Sequence, residues 1–182
     1  TIDEMFDRGF DAVFIGSGTV IPKTLDIPGN KIKGVIQSSY FLRMVSLFNN
    51  HSLGLDEIPI KAGDVVGVIG GGNVAMDAAR TALRIGAKSV TVYYHRTQEE
   101  MPALRTEYEE AEAEGVSFVW KSSVQEFLSN GERLTSARVK IGENETIVPL
   151  DKMLLAVGSR PANRIVSTTE GIEVDEMGYV KT

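Results

Sequence analysis

The chain has 182 residues, 42% hydrophobic and 24% charged, with 19 Lys and Arg against 25 Asp and Glu for a net charge of −6. That suits one ordinary domain, at roughly 100–200 residues per domain, and the acidic balance argues against general nucleic-acid or anionic-membrane binding. The absence of cysteine excludes disulfides, cysteine-held zinc or iron–sulfur clusters, and thiol nucleophiles within the chain.

Ala12 to Ile15 is a short apolar run ending at Gly16-Ser17-Gly18, which reads as a buried strand entering a tight turn. Pro22 and Ile27-Pro28-Gly29-Asn30 mark turns, and Tyr40, Phe41, Leu42, Val45, Leu47 and Phe48 predict an amphipathic helix over 38–48. Residues 49–64 lack periodicity and read as a linker. Val65 to Ile69 has the composition of a central parallel strand and runs straight into Gly70-Gly71-Gly72. Ala75, Ala79, Ala82 and Leu83 then repeat at helical spacing, predicting a helix over 73–85 that Gly86 ends. Residues 89–94 read as the next strand and 103–114 as a second helix, whose glutamates are taken as a solvated face.

Residues 116–120 follow as a third strand, and 122–150 as an antiparallel meander with turns at Asn130-Gly131 and Gly142-Glu143-Asn144. Residues 151–158 form another strand ending at glycine, and the alternating tail 172–180 reads as a hairpin. The expected class is α/β: a Rossmann-like parallel sheet with helices on both faces, plus the meander. No run approaches the ~18 apolar residues of a membrane span, and no signal peptide is visible. A cytoplasmic setting is expected.

Gly70, Gly72 and Ala75 match G-x-G-x-x-[G/A] directly after a strand and at the opening of a helix, the context that gives the pattern meaning. Gly70 permits the tight turn, Gly72 lets the backbone approach a pyrophosphate, and Ala75 lets the helix pack close to the strand. The helix N-terminus presents unpaired N–H groups and partial positive charge to the phosphates. Asn73 caps that helix or bonds a phosphate. An NAD-type domain places an acid ~20 residues further on, to bind the ribose 2′-hydroxyl. Here that count lands on His95, beside Arg96. An acid would repel a 2′-phosphate, whereas Arg96 can pair with it through two charge-assisted hydrogen bonds, so NADP(H) is favoured over NAD(H). His95 either stacks on adenine or donates a hydrogen bond. Arg105 adds a second contact or pairs with helix glutamates, and Asp77 faces the cofactor or pairs locally. His51, Trp120 and the methionines read as incidental or packing residues. No catalytic triad and no metal-ligand cluster is evident.

The residues Val68-Ile69-Gly70-Gly71-Gly72-Asn73-Val74-Ala75-Met76-Asp77-Ala78-Ala79-Arg80, with Val90 to Arg96 and Glu99-Glu100-Met101-Pro102-Ala103, resemble the pyridine-nucleotide domain of the glutamate synthase small (beta) subunit family. Asp11 to Gly18, Lys152 to Pro161 and Gly171 to Val180 extend the resemblance over nearly the whole chain. It implies a flavoprotein of two nested dinucleotide domains. Residues 1–60 would derive from the FAD domain plus linker, 61–160 would be the NAD(P)H domain, and 161–182 the return toward the FAD domain. It implies pyrophosphate contacts at Gly71 to Val74, 2′-phosphate recognition at Arg96, and cofactor contacts at Ala156, Val157 and Gly158. It further implies hydride transfer from NADPH to FAD, with an iron–sulfur or large synthase subunit as partner.

Where the family usually has a basic pair, this chain has His95-Arg96. Its FAD glycine motif, N-terminal cysteine region and closing Gly-Asp motif have no counterpart in these residues. With an opening Thr1 in place of Met, the chain reads as an excerpt, expected to bind NADP(H) with little or no turnover alone. The alternatives are a self-sufficient NADP-dependent dehydrogenase, which needs an acid–base residue not identifiable here, and a non-enzymatic nucleotide-binding module.

Overall fold

A computed structural model of the protein describes residues 1–16 and 18–181, and of Ser167 the backbone alone. In chain order the elements are α1 (Ile2–Asp7), β1 (Ile21–Pro22), β2 (Val35–Gln37), α2 (Ser38–Asn49), a 3₁₀ turn (Leu55–Glu57), β3 (Val65–Ile69), α3 (Asn73–Ile85), β4 (Ser89–Tyr93), α4 (Arg105–Ala113), β5 (Ser117–Val119), β6 (Ser122–Ser129), β7 (Leu134–Ile141), β8 (Asn144–Pro149), β9 (Lys152–Leu155), β10 (Ser159–Arg160) and α5 (Arg164–Ser167). They divide into two compact units: Thr24–Val157, and Thr1–Lys23 with Gly158–Thr182.

The larger unit is built on a five-stranded parallel sheet, in the order β2-β9-β3-β4-β5. Parallel strands are buried on both faces, which is why β3 and β9 are nearly continuous runs of Val, Ile, Leu and Met. Successive side chains point to opposite faces. Val66, Val68, Val90, Val92 and Leu154 meet Phe41, Val45, Ala75, Ala79 and Ala82 in one core. Met153, Leu155 and Tyr93 point the other way, into a core with Val124, Phe127, Ala137 and Val139. The first face is therefore covered by α2, α3 and α4, and the second by the antiparallel sheet β6-β7-β8. The parallel sheet and the meander are as expected; helices on both faces are not. The meander's alternating strands supply the apolar cover that a second helical layer would have given.

Small residues set the spacing. On α3, Ala75, Ala78, Ala79 and Ala82 are wholly buried and let the helix lie close on the sheet. In β3 a Cβ on Gly67 would stand 2.7 Å from Met153 Cε, so the glycine makes room for that methionine. Gly86 ends α3 in the left-handed conformation (φ +105), where a Cβ would strain the backbone.

Arg80 joins α3 to α4. Its Nε and Nη2 donate to Glu114, at 2.9 and 2.8 Å, and its Nη1 lies 3.2 and 2.7 Å from Glu107 and Glu110. Those three glutamates, expected to lie mostly on a solvated face, hold a guanidinium that is 15% exposed.

Two other expectations change. Residues 49–64 are no linker, because Ile58 and Ile60 are fully buried in the helical-face core. Residues 24–60, grouped by sequence with the outer segment, belong to the larger unit. The short β2 and the parallel pairing of Val35 with Met153 carry too few residues for a sequence signal.

In the smaller unit β1 pairs antiparallel with β10. A capping box opens α1, with the Glu4 N–H donating to the Thr1 hydroxyl at 3.2 Å. The expected strand at 12–15 is not a strand. No described strand lies beside it to complete a ladder, and Phe14 is 95% exposed. The turn expected at 16–18 includes Ser17, which lies outside the described residues. The terminal hairpin is reduced to a single antiparallel bridge, Val174 to Val180. Among the described residues no helix is long and apolar enough to cross a membrane.

Candidate dinucleotide-binding site

All five parallel strands point the same way, so Gln37, Leu155, Ile69, Tyr93 and Val119 end along one edge of the sheet. Ligands of open α/β sheets bind outside such carboxyl ends. The glycine loop stands there, between β3 and α3, and its three glycines have three different surroundings.

Gly70 has φ +140, and a Cβ on it would fall 2.4 Å from the Ala156 carbonyl oxygen. The Ala156 N–H donates to the Ile69 carbonyl at 2.8 Å, which brings Ala156 against the loop. A Cβ on Gly71 would enter the Tyr94 ring, at 2.5 Å. That ring is 5% exposed, and its hydroxyl donates to the Glu100 carbonyl at 3.0 Å. Gly72 is the N-cap of α3, with extended backbone (φ −93, ψ 175), and a Cβ on it would meet nothing within 4 Å. Gly70 and Gly71 are therefore required by the protein itself, whereas the space at Gly72 is open.

Beside that space the N–H groups of Asn73 and Val74 have no hydrogen-bond partner among the described residues. They belong to the first turn of a helix of 13 residues, whose start carries the positive end of its dipole. Val74 is 49% exposed next to them, and Ala75 is wholly buried against the sheet. Asn73 neither caps α3 nor stands free. Its Oδ1 accepts the Leu104 N–H at 2.9 Å, at the N-cap of α4. The Ala103 N–H donates to the Gly71 carbonyl at 2.9 Å. The segment before α4 is thus stitched to the glycine loop, a role of Ala103 and Leu104 that sequence reasoning missed because backbone groups make the contacts.

His95 and Arg96 follow β4 and are exposed. The His95 ring lies edge-on to Tyr94, centroids 4.9 Å apart. Arg96 has no ion pair within 4.0 Å among the described residues. Arg105 is committed elsewhere, its Nε 2.6 Å from Glu109 Oε1, so the local pairing expected as one alternative is the one found. Asp77 is exposed on α3.

Trp120 stacks on Phe118, with centroids 5.2 Å apart and planes 7° apart, and both abut Tyr108. Burial and the bond to Glu112 push the Tyr108 hydroxyl up to about 12. Val157 is half-buried beside Ala156. Gly158 belongs to the smaller unit, where its carbonyl accepts the Lys23 N–H at 2.9 Å. Among the described residues no group of three or more His, Cys, Asp or Glu could hold a metal ion.

The sequence profile of pyridine nucleotide-disulphide oxidoreductases matches residues 3–182. The chain belongs to this oxidoreductase family. Within it, the chain is 35% identical over 193 aligned residues to the glutamate synthase [NADPH] small chain of Halomonas elongata, covering 94% of this chain and 40% of that protein. It is 40% identical over 148 residues to the NADP(+)-dependent formate dehydrogenase subunit beta of Moorella thermoacetica, covering 79% of this chain and 20% of that protein. The chain thus spans well under half of the curated relatives it matches. Among solved structures, thioredoxin reductase from T. acidophilum superposes with a TM-score of 0.71 at 21% identity, over 90% of this chain and 49% of that one. The Lactococcus lactis enzyme superposes with a TM-score of 0.68 at 24% identity, over 87% and 48%. The fold is therefore shared with about half of each thioredoxin reductase chain, and the similarity to the glutamate synthase small chain extends along most of this chain.

Proposed function

We propose that the chain is the NADP(H)-binding portion of a flavin-dependent oxidoreductase, delivering hydride from NADPH to FAD for onward electron transfer. One observation carries the reading. At the start of α3, unpaired Asn73 and Val74 N–H groups border the open space at Gly72, and an unpaired arginine follows the next strand where an NAD-type site has an acid.

The residues fit the dinucleotide. The α3 amides would hold its pyrophosphate, with Gly70 and Gly71 closing the turn beneath. Arg96 would grip the 2′-phosphate with its planar fork, and His95 would lie beside the adenine. Ala156, Val157 and Gly158 are proposed as further contacts. When bound, the nicotinamide supplies the hydride and the flavin accepts it. The chain's own part is to bind and orient, and no side chain is assigned to the chemical step. With no cysteine, no dithiol of this chain takes part. FAD, and a large synthase or iron–sulfur subunit as partner, belong to the same reading, which the family and relatives named as a small chain or a beta subunit support. Residues 1–182 alone are proposed to bind NADP(H) with little or no turnover.

The test is titration with NADPH and NADH of the wild type and Arg96→Ala. Loss of a charge-assisted contact costs about 1.5–3 kcal/mol, so NADPH should weaken by that amount and NADH hardly at all. Equal losses would overturn the 2′-phosphate assignment.

A further inference from the structure

Lys121, just beyond β5, has a backbone that its residue type does not favour. Its φ is +51, and His51 is the other non-glycine residue with positive φ among the described residues. In the left-handed region a Cβ crowds the backbone, and lysine lacks the short polar side chain with which Asn or Asp offsets the strain. Other turns in the chain that need positive φ carry glycine, at Gly115, Gly131 and Gly142.

The conformation is fixed from both sides. The Lys121 N–H donates to the Arg96 carbonyl at 2.9 Å, and the Lys121 carbonyl accepts the Gly142 N–H at 3.1 Å. The next residue is anchored too: the Ser122 N–H donates to the Tyr94 carbonyl at 2.9 Å, and its buried hydroxyl donates to the Val119 carbonyl at 2.6 Å. These bonds lie just past the last rung of the parallel β4–β5 pairing, Tyr93 with Val119, and tie the two strand ends together. The backbone of this exposed lysine is thereby held against that of Arg96.

The charges at this edge suit an anion. In a chain of net charge −6, Arg96, His95 and Lys121 gather at the ends of two neighbouring strands, with Glu99 and Glu100 beside them. Glu99 is held below its ordinary range by its own backbone N–H and the Thr97 hydroxyl, then by the Lys121 cation. Glu100 is held down by the Thr97 N–H and hydroxyl, then by Arg96 and His95. These acids hang on a loop that caps itself through Thr97, whereas the cations sit on the sheet edge. Strained non-glycine backbone concentrates where a side chain must be presented in a set direction.

We propose that Lys121 is the second cation of the 2′-phosphate pocket, completing with Arg96 a two-strand clamp that selects NADP(H) over NAD(H). The proposal rests on the NADP(H) reading above. Arg96 supplies the planar fork and Lys121 a compact point charge, a division of labour suited to a phosphate dianion.

The experiment titrates NADPH, NADH and adenosine 2′,5′-bisphosphate into the whole protein carrying Lys121→Gly, Lys121→Gln or Lys121→Arg, with Arg96→Ala alongside. Glycine adopts this φ without strain, so Lys121→Gly should fold and melt at a higher temperature than wild type. It should also bind NADPH and the bisphosphate about tenfold more weakly, with NADH unchanged. Lys121→Gln should lose affinity likewise, and Lys121→Arg should retain most of it. If Lys121→Gly leaves NADPH binding intact while Arg96→Ala selectively weakens it, the clamp is wrong and the NADP(H) reading stands. If the Lys121 variants weaken NADPH and NADH equally, the clamp is likewise wrong. If Arg96→Ala fails to discriminate between the two nucleotides, both fall together.

Discussion

At the scale of single residues, the glycine loop separates what folding needs from what the proposed ligand would need. Gly70 and Gly72 look alike in a motif but face different neighbours: a backbone carbonyl in one case, empty space in the other. Gly70→Ala should destabilise the protein by roughly 1–3 kcal/mol from strained backbone alone, with the clash at Ala156 added. Gly72→Ala keeps an ordinary φ and should change stability by no more than about 0.5 kcal/mol. Its methyl would nevertheless project where a pyrophosphate must approach, and NADPH affinity should fall by on the order of tenfold or more. Thermal melting together with NADPH titration checks both. A Gly72→Ala protein that binds NADPH normally would remove the loop from the site.

At the scale of elements, the Arg80 cluster ties α3, which carries the glycine loop, to α4. Glu114 is held below the usual carboxylate range by its hydrogen bonds from Arg80 and then Arg84. A depressed folded value means that this stabilisation is present above the unfolded value of about 4.3 and is lost as pH falls through the folded one. Arg80→Met should therefore cost roughly 1 kcal/mol at neutral pH, a modest figure because the glutamates are partly exposed. The deficit should shrink in acid. Urea unfolding at neutral and acid pH measures it, and an equal deficit at both would assign the loss to packing rather than charge.

Elements with strong local signals were the legible ones. Val65 to Ile85, with its apolar strand, glycine turn and alanine-faced helix, was readable because each residue agrees with its neighbours. The meander was readable from alternation and its Asn-Gly turn. β2 was not, since three residues become a strand only by pairing with the distant β9. Ile58 and Ile60 went unread because two buried anchors in an irregular segment have no period. Around the candidate site, the glycine turn between β3 and α3 was legible. The Tyr94 wall, the Asn73–Leu104 link and the φ of Lys121 were not, because each depends on which backbone lies alongside.

At the scale of the whole molecule, every residue of both cores lies between Leu25 and Ala156, inside the larger unit. A polypeptide of residues 24–157 should therefore fold by itself with a single cooperative transition, since a domain is the piece that owns a core. It should also keep most of the affinity for NADPH, because Gly70 to Ala75, Arg96, Lys121 and Ala156 all travel with it. Urea unfolding and nucleotide titration of that piece test both claims. A broad, non-cooperative transition would mean that the smaller unit contributes to the stability of the larger.

The position of β9 also has a consequence for biosynthesis. This strand lies between β2 and β3 although it is made long after both. As the chain leaves the ribosome, β3 to β5 and their helices can assemble in the order they appear, each strand finding a partner already present. β2 has no such partner until residues 152–155 emerge. Until then its apolar side chains wait on the flank of a half-built sheet, a contact of large sequence separation that must be closed last and slowly. The insertion of that one strand joins β2 to the rest of the sheet and carries Ala156 to the glycine loop, so the proposed nucleotide site and the finished fold arrive in the same step.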